Sequence, residues 1–171
     1  MKKYIQIFIS LGSLVAFDQW TKYLAVTHLK NTEGIPLIPN IFHLHYLENR
    51  GVAFGMFQDK IWFFLPFTMI ILAFMCVFYS KIPDNKRYIP LKICAILVTS
   101  GAIGNMIDRF LHRYVVDFLY FKLIDFPIFN VADCYVVIGV FLFILLLLFY
   151  YKEEELERDL PFFSSKSKKG E

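Results

Sequence analysis

The sequence predicts an all-α membrane protein, a four-transmembrane-helix bundle. Three observations carry this. Apolar residues make up 57% of the 171 residues, with 20 Phe and 10 Tyr, and the mean hydropathy is +0.52. A soluble domain holds roughly 45–50% apolar residues even when Gly is counted, and a short chain has too little interior to hide such an excess. Second, Ile61–Ser80 and Cys134–Tyr151 are uncharged runs close to the ~20 residues that cross a ~30 Å hydrocarbon core. Third, two further apolar segments are interrupted by only a few polar residues. These features exclude a soluble globular domain, a disordered chain and a collagen-like chain. A net charge of +3 with scattered Lys and Arg also argues against a nucleic-acid partner.

The first helix covers about 4–26. Tyr4–Phe17 is apolar, Asp18-Gln19-Trp20-Thr21-Lys22 interrupts it, and apolar residues resume to Val26. Lys2 and Lys3 give it the basic start of a leader. However, Asp18, Gln19 and Lys22 stand where a small-residue cleavage site belongs, so it reads as a retained span. In the loop that follows, Ile41–Leu47 reads as a strand and Asn49-Arg50-Gly51 as a turn. The apolar 52–57 lies outside any span and suits the membrane interface. The second helix covers about 60–80. A short loop, 81–87, leads to the third at about 88–108, where Ser100, Gly101, Ala102 and Gly104 permit close approach of another backbone. Tyr114–Tyr120 reads as extended. The fourth helix covers about 131–151, and 152–171 is a charged tail, frayed beyond Pro161.

With the N-terminus in the cytoplasm, eleven of the 18 Lys and Arg lie inside, six lie outside, and Lys22 sits within a span. That bias predicts both termini inside. Loops 27–59 and 109–130 then face out. Cys76, Cys94 and Cys134 form no CxxC and no even-numbered framework, so they read as free thiols.

Ionisable groups within spans are costly and mark function by default. Alternating spans bring Asp18, Asn105, Asp108, Arg109, Asn130 and Asp133 to the outer boundary, and the outer loops add Asn49, Arg50 and Asp117. The inner boundary gathers only flanking Lys and Arg. Asn105, Asp108 and Arg109 share one helix face at i, i+3 and i+4. Taken alone, Asp108-Arg109 fits a structural ion pair equally well. Asn130 and Asp133 fit a helix N-cap and first turn. Asp117 is harder to explain structurally, since apolar residues flank it on both sides and burial of a charge costs energy. Two carboxylates brought close cannot both ionise easily, so one keeps a proton. Aspartic-protease chemistry requires that division. His43 and His45 share a strand face but have no third metal ligand in view. HExxH, GxSxG and a glycine-rich phosphate loop are absent.

Taken together, five blocks resemble lipoprotein signal peptidase (signal peptidase II). They are Asp18-Gln19-Trp20-Thr21-Lys22, Asn49 through Gly55, Gly101 through Arg109, Val115-Val116-Asp117-Phe118, and Phe126 through Asp133, in the family's order. The resemblance implies four transmembrane helices with a small extracytoplasmic β-cradle and a short interfacial helix. It implies a single membrane-embedded peptidase domain over 1–151, in the bacterial cytoplasmic membrane, with its site at the extracytoplasmic face. Its substrates would be lipid-modified prolipoproteins, cut just before the lipidated cysteine, with membrane lipid as the other partner. By this likeness Asp117 and Asp133 are the catalytic pair. Asp18, Asn49, Arg50, Asn105, Asp108, Arg109 and Asn130 organise the site or bind substrate. No cofactor and no metal is expected. Cys134 departs from the family, which usually has Ser there. The competing readings are a non-enzymatic four-span transporter or assembly subunit, and a lipid-modifying transferase.

Overall fold

The computed structural model describes residues 2–51 and 61–163. Helix α1 (Lys2–Leu29) leads into strands β1 (Ile35–Ile38) and β2 (Phe42–Asn49). Helix α2 (Ile61–Lys81) follows, then a 3₁₀ turn at Lys86–Tyr88 and helix α3 (Ile89–His112). Strand β3 (Val115–Phe121) and a second 3₁₀ turn at Lys122–Ile124 precede helix α4 (Val131–Leu145). A π-helical turn at Leu146–Tyr150 prolongs α4, and α5 (Glu153–Asp159) is the last helix among the described residues. The apolar 52–57 segment, expected at the membrane interface, lies outside the described residues.

Among the described residues, three helical segments are long and apolar enough to cross a membrane: Phe64–Lys81, Lys86–His112 and Val131–Tyr150. Helix α1 has the length, at 28 residues, but Asp18, Gln19, Lys22 and its basic start dilute its apolar character. Exposure is inverted relative to a soluble protein. Phe8, Phe110 and Phe149 are 79%, 71% and 80% exposed, while Asp18 and Lys22 are 0% and 3% exposed. Apolar surface exposed on this scale marks a membrane or partner-binding face.

Glycines set how closely the helices pack. A Cβ on Gly101 would strike the carbonyl oxygen of Ala132, and one on Gly104 would strike the Asp18 carboxylate. A Cβ on Gly139 would meet Val98 at 2.9 Å and the Cys94 carbonyl oxygen at 3.1 Å. Helices α1, α3 and α4 therefore meet at backbone distance near Asp18, as small residues allow between membrane helices.

The strands form an antiparallel sheet in the order β1-β2-β3. Leu47 pairs with Asp117 and Asn49 with Val115. Leu47, Asn49, Asp117 and Val115 thus share one face, by the two-residue period of a strand. Helix α3 ends where Arg113 turns left-handed at φ 69°, which redirects the chain straight into β3. The sheet is therefore anchored to the end of the bundle that carries Asp108 and Asp133.

At the opposite end, the charge pattern of 152–171 reads as a tail, yet Glu153–Asp159 folds as α5 and docks. Leu156 and Leu160 are buried. Arg87 donates to Glu155 at 2.9 Å, the Tyr88 hydroxyl donates to Asp159 at 2.9 Å, and the Tyr88 ring stacks on Tyr151. Residues 152–163 thus close that end of the bundle against the α2–α3 turn.

Candidate active site

Five elements, α1, β2, α3, β3 and α4, bring their polar side chains to one spot. Helix α4 starts with a capping box. Asn130 accepts from the Asp133 N–H at 3.0 Å, and Asp133 Oδ2 accepts from the Asn130 N–H at 3.1 Å. The cap reading of Asn130 and Asp133 is thus correct as geometry. It leaves Asp133 Oδ1 free to turn inward, where it accepts from Asn105 Nδ2 at 2.8 Å.

Asp117 comes from the middle of β3 and is 1% exposed. Asn130 Nδ2 donates to its Oδ1 at 2.6 Å, and Asn49 Nδ2 donates to its Oδ2 at 2.8 Å. The shared sheet face explains the second bond. Asn49 is itself held by its Oδ1, which accepts from the Gly51 N–H at 3.0 Å. Asn130 Nδ2 also donates to Asn105 Oδ1 at 3.1 Å. One amide chain, Asp117–Asn130–Asn105–Asp133, therefore joins the two carboxylates. Burial, then the charge of Asp133, push the Asp117 carboxyl up to about 7, against the pull of the Asn49 and Asn130 bonds. Desolvation disfavours the charged form, and a second carboxylate nearby adds to it.

Beneath this chain lies a second cluster. Lys22 Nζ reaches Asp18 Oδ2 at 3.0 Å, Asp108 Oδ2 at 3.1 Å and Asn105 Oδ1 at 2.9 Å. Asp18 Oδ1 accepts from the Ala132 N–H at 2.9 Å, one of the donors a helix start leaves without an intrahelical partner. Asp108 Oδ2 accepts from the Val116 N–H at 3.0 Å and so ties β3 to α3. Gln19 Nε2 donates to Asp108 Oδ1 at 2.9 Å.

Arg109 is on the same side of α3, its guanidinium 5.3 Å from the Phe64 ring centroid and within electrostatic reach of Asp133 and Asp117. Arg50 stands apart, with its side chain 60% exposed and facing Glu48 at 3.5 Å. The expected site residues Asp18, Asn49, Asn105, Asp108, Asn130, Asp117 and Asp133 thus form one hydrogen-bonded assembly. Lys22 and Gln19 belong to it as well. The signal for Lys22 is its spacing, four residues after Asp18 in an otherwise apolar helix. Among the described residues no cluster of three or more His, Cys, Asp and Glu could hold a metal ion.

The family model for signal peptidase (SPase) II matches residues 10–149. The chain belongs to the signal peptidase II family. It is an enzyme of the aspartic endopeptidase class that this family represents. Lipoprotein signal peptidases of Streptococcus pyogenes are similar to it. That of serotype M5 (strain Manfredo) is 40% identical over 155 residues, spanning 91% of this chain and 98% of the relative. That of serotype M1 is 41% identical over the same spans. Two solved bacterial membrane enzymes, determined by the in meso method, are similar to this chain in fold. One, at 2.3 Å, superposes with a TM-score of 0.75 at 33% identity, over 97% of this chain and 93% of that one. The other, at 1.9 Å, gives 0.74 at 35% identity, over 85% and 94%.

Proposed function

We propose that Asp117 and Asp133 are a catalytic aspartic dyad. It cleaves the signal peptide from diacylglyceryl-modified prolipoproteins just before the lipidated cysteine. The observation that carries this is the amide chain joining a buried and a half-buried carboxylate from separate elements. One carboxylate, ionised, takes a proton from the attacking water. The other, protonated, hydrogen-bonds the scissile carbonyl and later yields its proton to the leaving amine. The pair ends with one proton, as it began. Asn49, Asn105 and Asn130 hold both groups in place. Arg109 and the Asp18–Lys22–Asp108 cluster fix the helix ends that carry them, while exposed Arg50 stands at the rim to meet substrate.

Helix α1 is the fourth span in this reading. Its apolar residues Phe8, Ile9 and Phe17 point outward, and its charged residues Asp18 and Lys22 are covered by α3 and α4. Both termini lie in the cytoplasm, following the Lys and Arg bias. The sheet and the dyad then lie at the extracytoplasmic surface, where the lipidated cysteine of a substrate resides. Phe-rich faces toward lipid give its acyl chains a path to the site.

The test is cleavage of a diacylglyceryl-modified precursor by purified protein. Asp117→Asn and Asp133→Asn are each expected to abolish turnover while the fold survives in a thermal melt. Turnover by either at near wild-type rate would remove the dyad.

A further inference from the structure

The bundle holds a wholly apolar cavity of about 260 Å³ that the peptidase chemistry leaves without a role. Helix α3 packs against both α2 and α4. The cavity lies between those two, over the short side chains of Cys94, Ala95 and Val98. Phe74 and Phe78 of α2 line one side, and Gly139 and Val140 of α4 line the other. Phe162 and Phe163 close it, with the Phe162 ring centroid 6.2 Å from that of Phe74 and 5.8 Å from that of Phe78. Helix α5 places them, because its Glu155 holds Arg87 at 2.9 Å and Leu160, just after it, is 1% exposed. This closing segment lies beyond residues 10–149, which match the family.

Phe74 and Val140 are 55% and 43% exposed, whereas Cys94 and Ala95 are each 2% exposed. The cavity therefore runs from the outer surface of the bundle inward to α3. All three helices around it are long and apolar enough to cross a membrane, so that outer surface meets acyl chains. An apolar cavity excludes water and accepts an apolar guest. Charge at the helix ends then selects among lipids. Lys81 follows Phe74 by seven residues and Phe78 by three, so it shares their face of α2, and it is exposed. Lys86 is exposed in the turn after α2, and the chain after Phe163 carries Lys166, Lys168 and Lys169. The exposed acids of α5, Glu153, Glu154 and Glu157, lie off its buried Leu156 side. Lysines gathered at the end of a membrane helix favour anionic headgroups.

We infer that this cavity binds one acyl chain of an anionic phospholipid, whose headgroup phosphate meets Lys81. The lipid belongs to the leaflet at the end of the bundle opposite the dyad. Docking of α5 completes the site by bringing Phe162 and Phe163 over it. The inference rests on the membrane setting of the helices and is independent of the dyad.

The experiment places the full-length protein in phosphatidylcholine vesicles with trace phosphatidylglycerol that carries a photoactivatable diazirine within one acyl chain. Annular lipid labels open surfaces such as Phe8 and Phe149, but the 94–98 floor is reached only through the cavity. Label on 94–98 is expected in the wild type. It is expected to exceed that from phosphatidylcholine with the same diazirine chain by about fivefold, the equivalent of one Lys near a membrane surface. An unlabelled floor, or equal labelling by the two probes, overturns the inference. A second copy or the precursor's signal peptide in the cavity would leave the floor unlabelled.

Two variants, checked by thermal melts, add a second arm. Val140→Trp fills the cavity from its exposed side and is expected to lower floor labelling about tenfold, with labelling at Phe8 unchanged. Lys81→Gln is expected to keep the acyl label and to lose the preference for phosphatidylglycerol. Wild-type labelling in a folded Val140→Trp, or an unchanged preference in Lys81→Gln, also overturns the inference.

Discussion

At the residue scale, the site works by giving every buried polar atom a partner. Asn130 is the clearest case. Its oxygen caps α4, its NH₂ serves Asp117 and Asn105, and its own exposure is 0%. Asn130→Ala is expected to lose about 1 kcal/mol from the cap and a further ~1–3 kcal/mol from the acceptors left buried. A lower Tm together with loss of cleavage checks this. The Asp117 carboxyl, held near 7, gives a pH prediction. Its folded value lies above the unfolded value of about 4. The stability it contributes is therefore complete below about 4 and lost as pH rises through about 7. The same rise removes the proton of the proposed dyad, so cleavage is expected to fall on the alkaline side of about 7. A rate profile that stayed flat from 6 to 9 would contradict that assignment.

At the element scale, the helices are set by their glycines and caps more than by their apolar residues. Gly104 sits against the Asp18 carboxylate and Gly101 against the Ala132 carbonyl. A side chain at either position has to push α1 or α4 away from α3, and overpacking of this kind costs about 1–3 kcal/mol. Gly104→Val is expected to lower Tm and to cost activity beyond the stability loss, because it displaces Asp18 from the Ala132 N–H. Gly12→Ala, with open space around it, is the control and is expected to leave both within error. Here the sequence was only partly legible. The small residues at 100–104 predicted close packing, but which backbone approached which glycine depended on the α1–α3–α4 arrangement. The strand-like 41–47 and 114–120 segments stand as β2 and β3. Helix α5 escaped a reading by charge, because its two buried anchors, Leu156 and Leu160, are too few to give an apolar stripe.

At the scale of the whole molecule, the two ends of the bundle do different work. One end carries the sheet and the polar assembly. The other is closed by α5 on Arg87 and Tyr88. Leu156→Ala is expected to cost about 2–4 kcal/mol by leaving a cavity, while kcat per folded enzyme stays unchanged, since nothing at that end touches the dyad. Orientation is testable in a Cys76→Ser background. An impermeant maleimide is expected to label Lys30→Cys from outside intact cells, and Glu154→Cys only after permeabilisation. The opposite pattern would invert the topology proposed for the site.

The sequence by itself determined the membrane class, three of the long apolar helices and the polar residues worth watching. Those properties are local: apolar run length, the cost of charge in lipid, and the capping pattern at Asn130 and Asp133. Only the tertiary structure decided which polar residues touch. Asn49 meets Asp117 because the β2–β3 register puts them on one sheet face, and Arg50, its neighbour in the chain, points away to Glu48. Lys22, which reads along the chain as one awkward charge in a span, becomes the centre of three contacts once α3 lies against α1. Pairing energies depend on distance and burial, and neither exists until the helices pack.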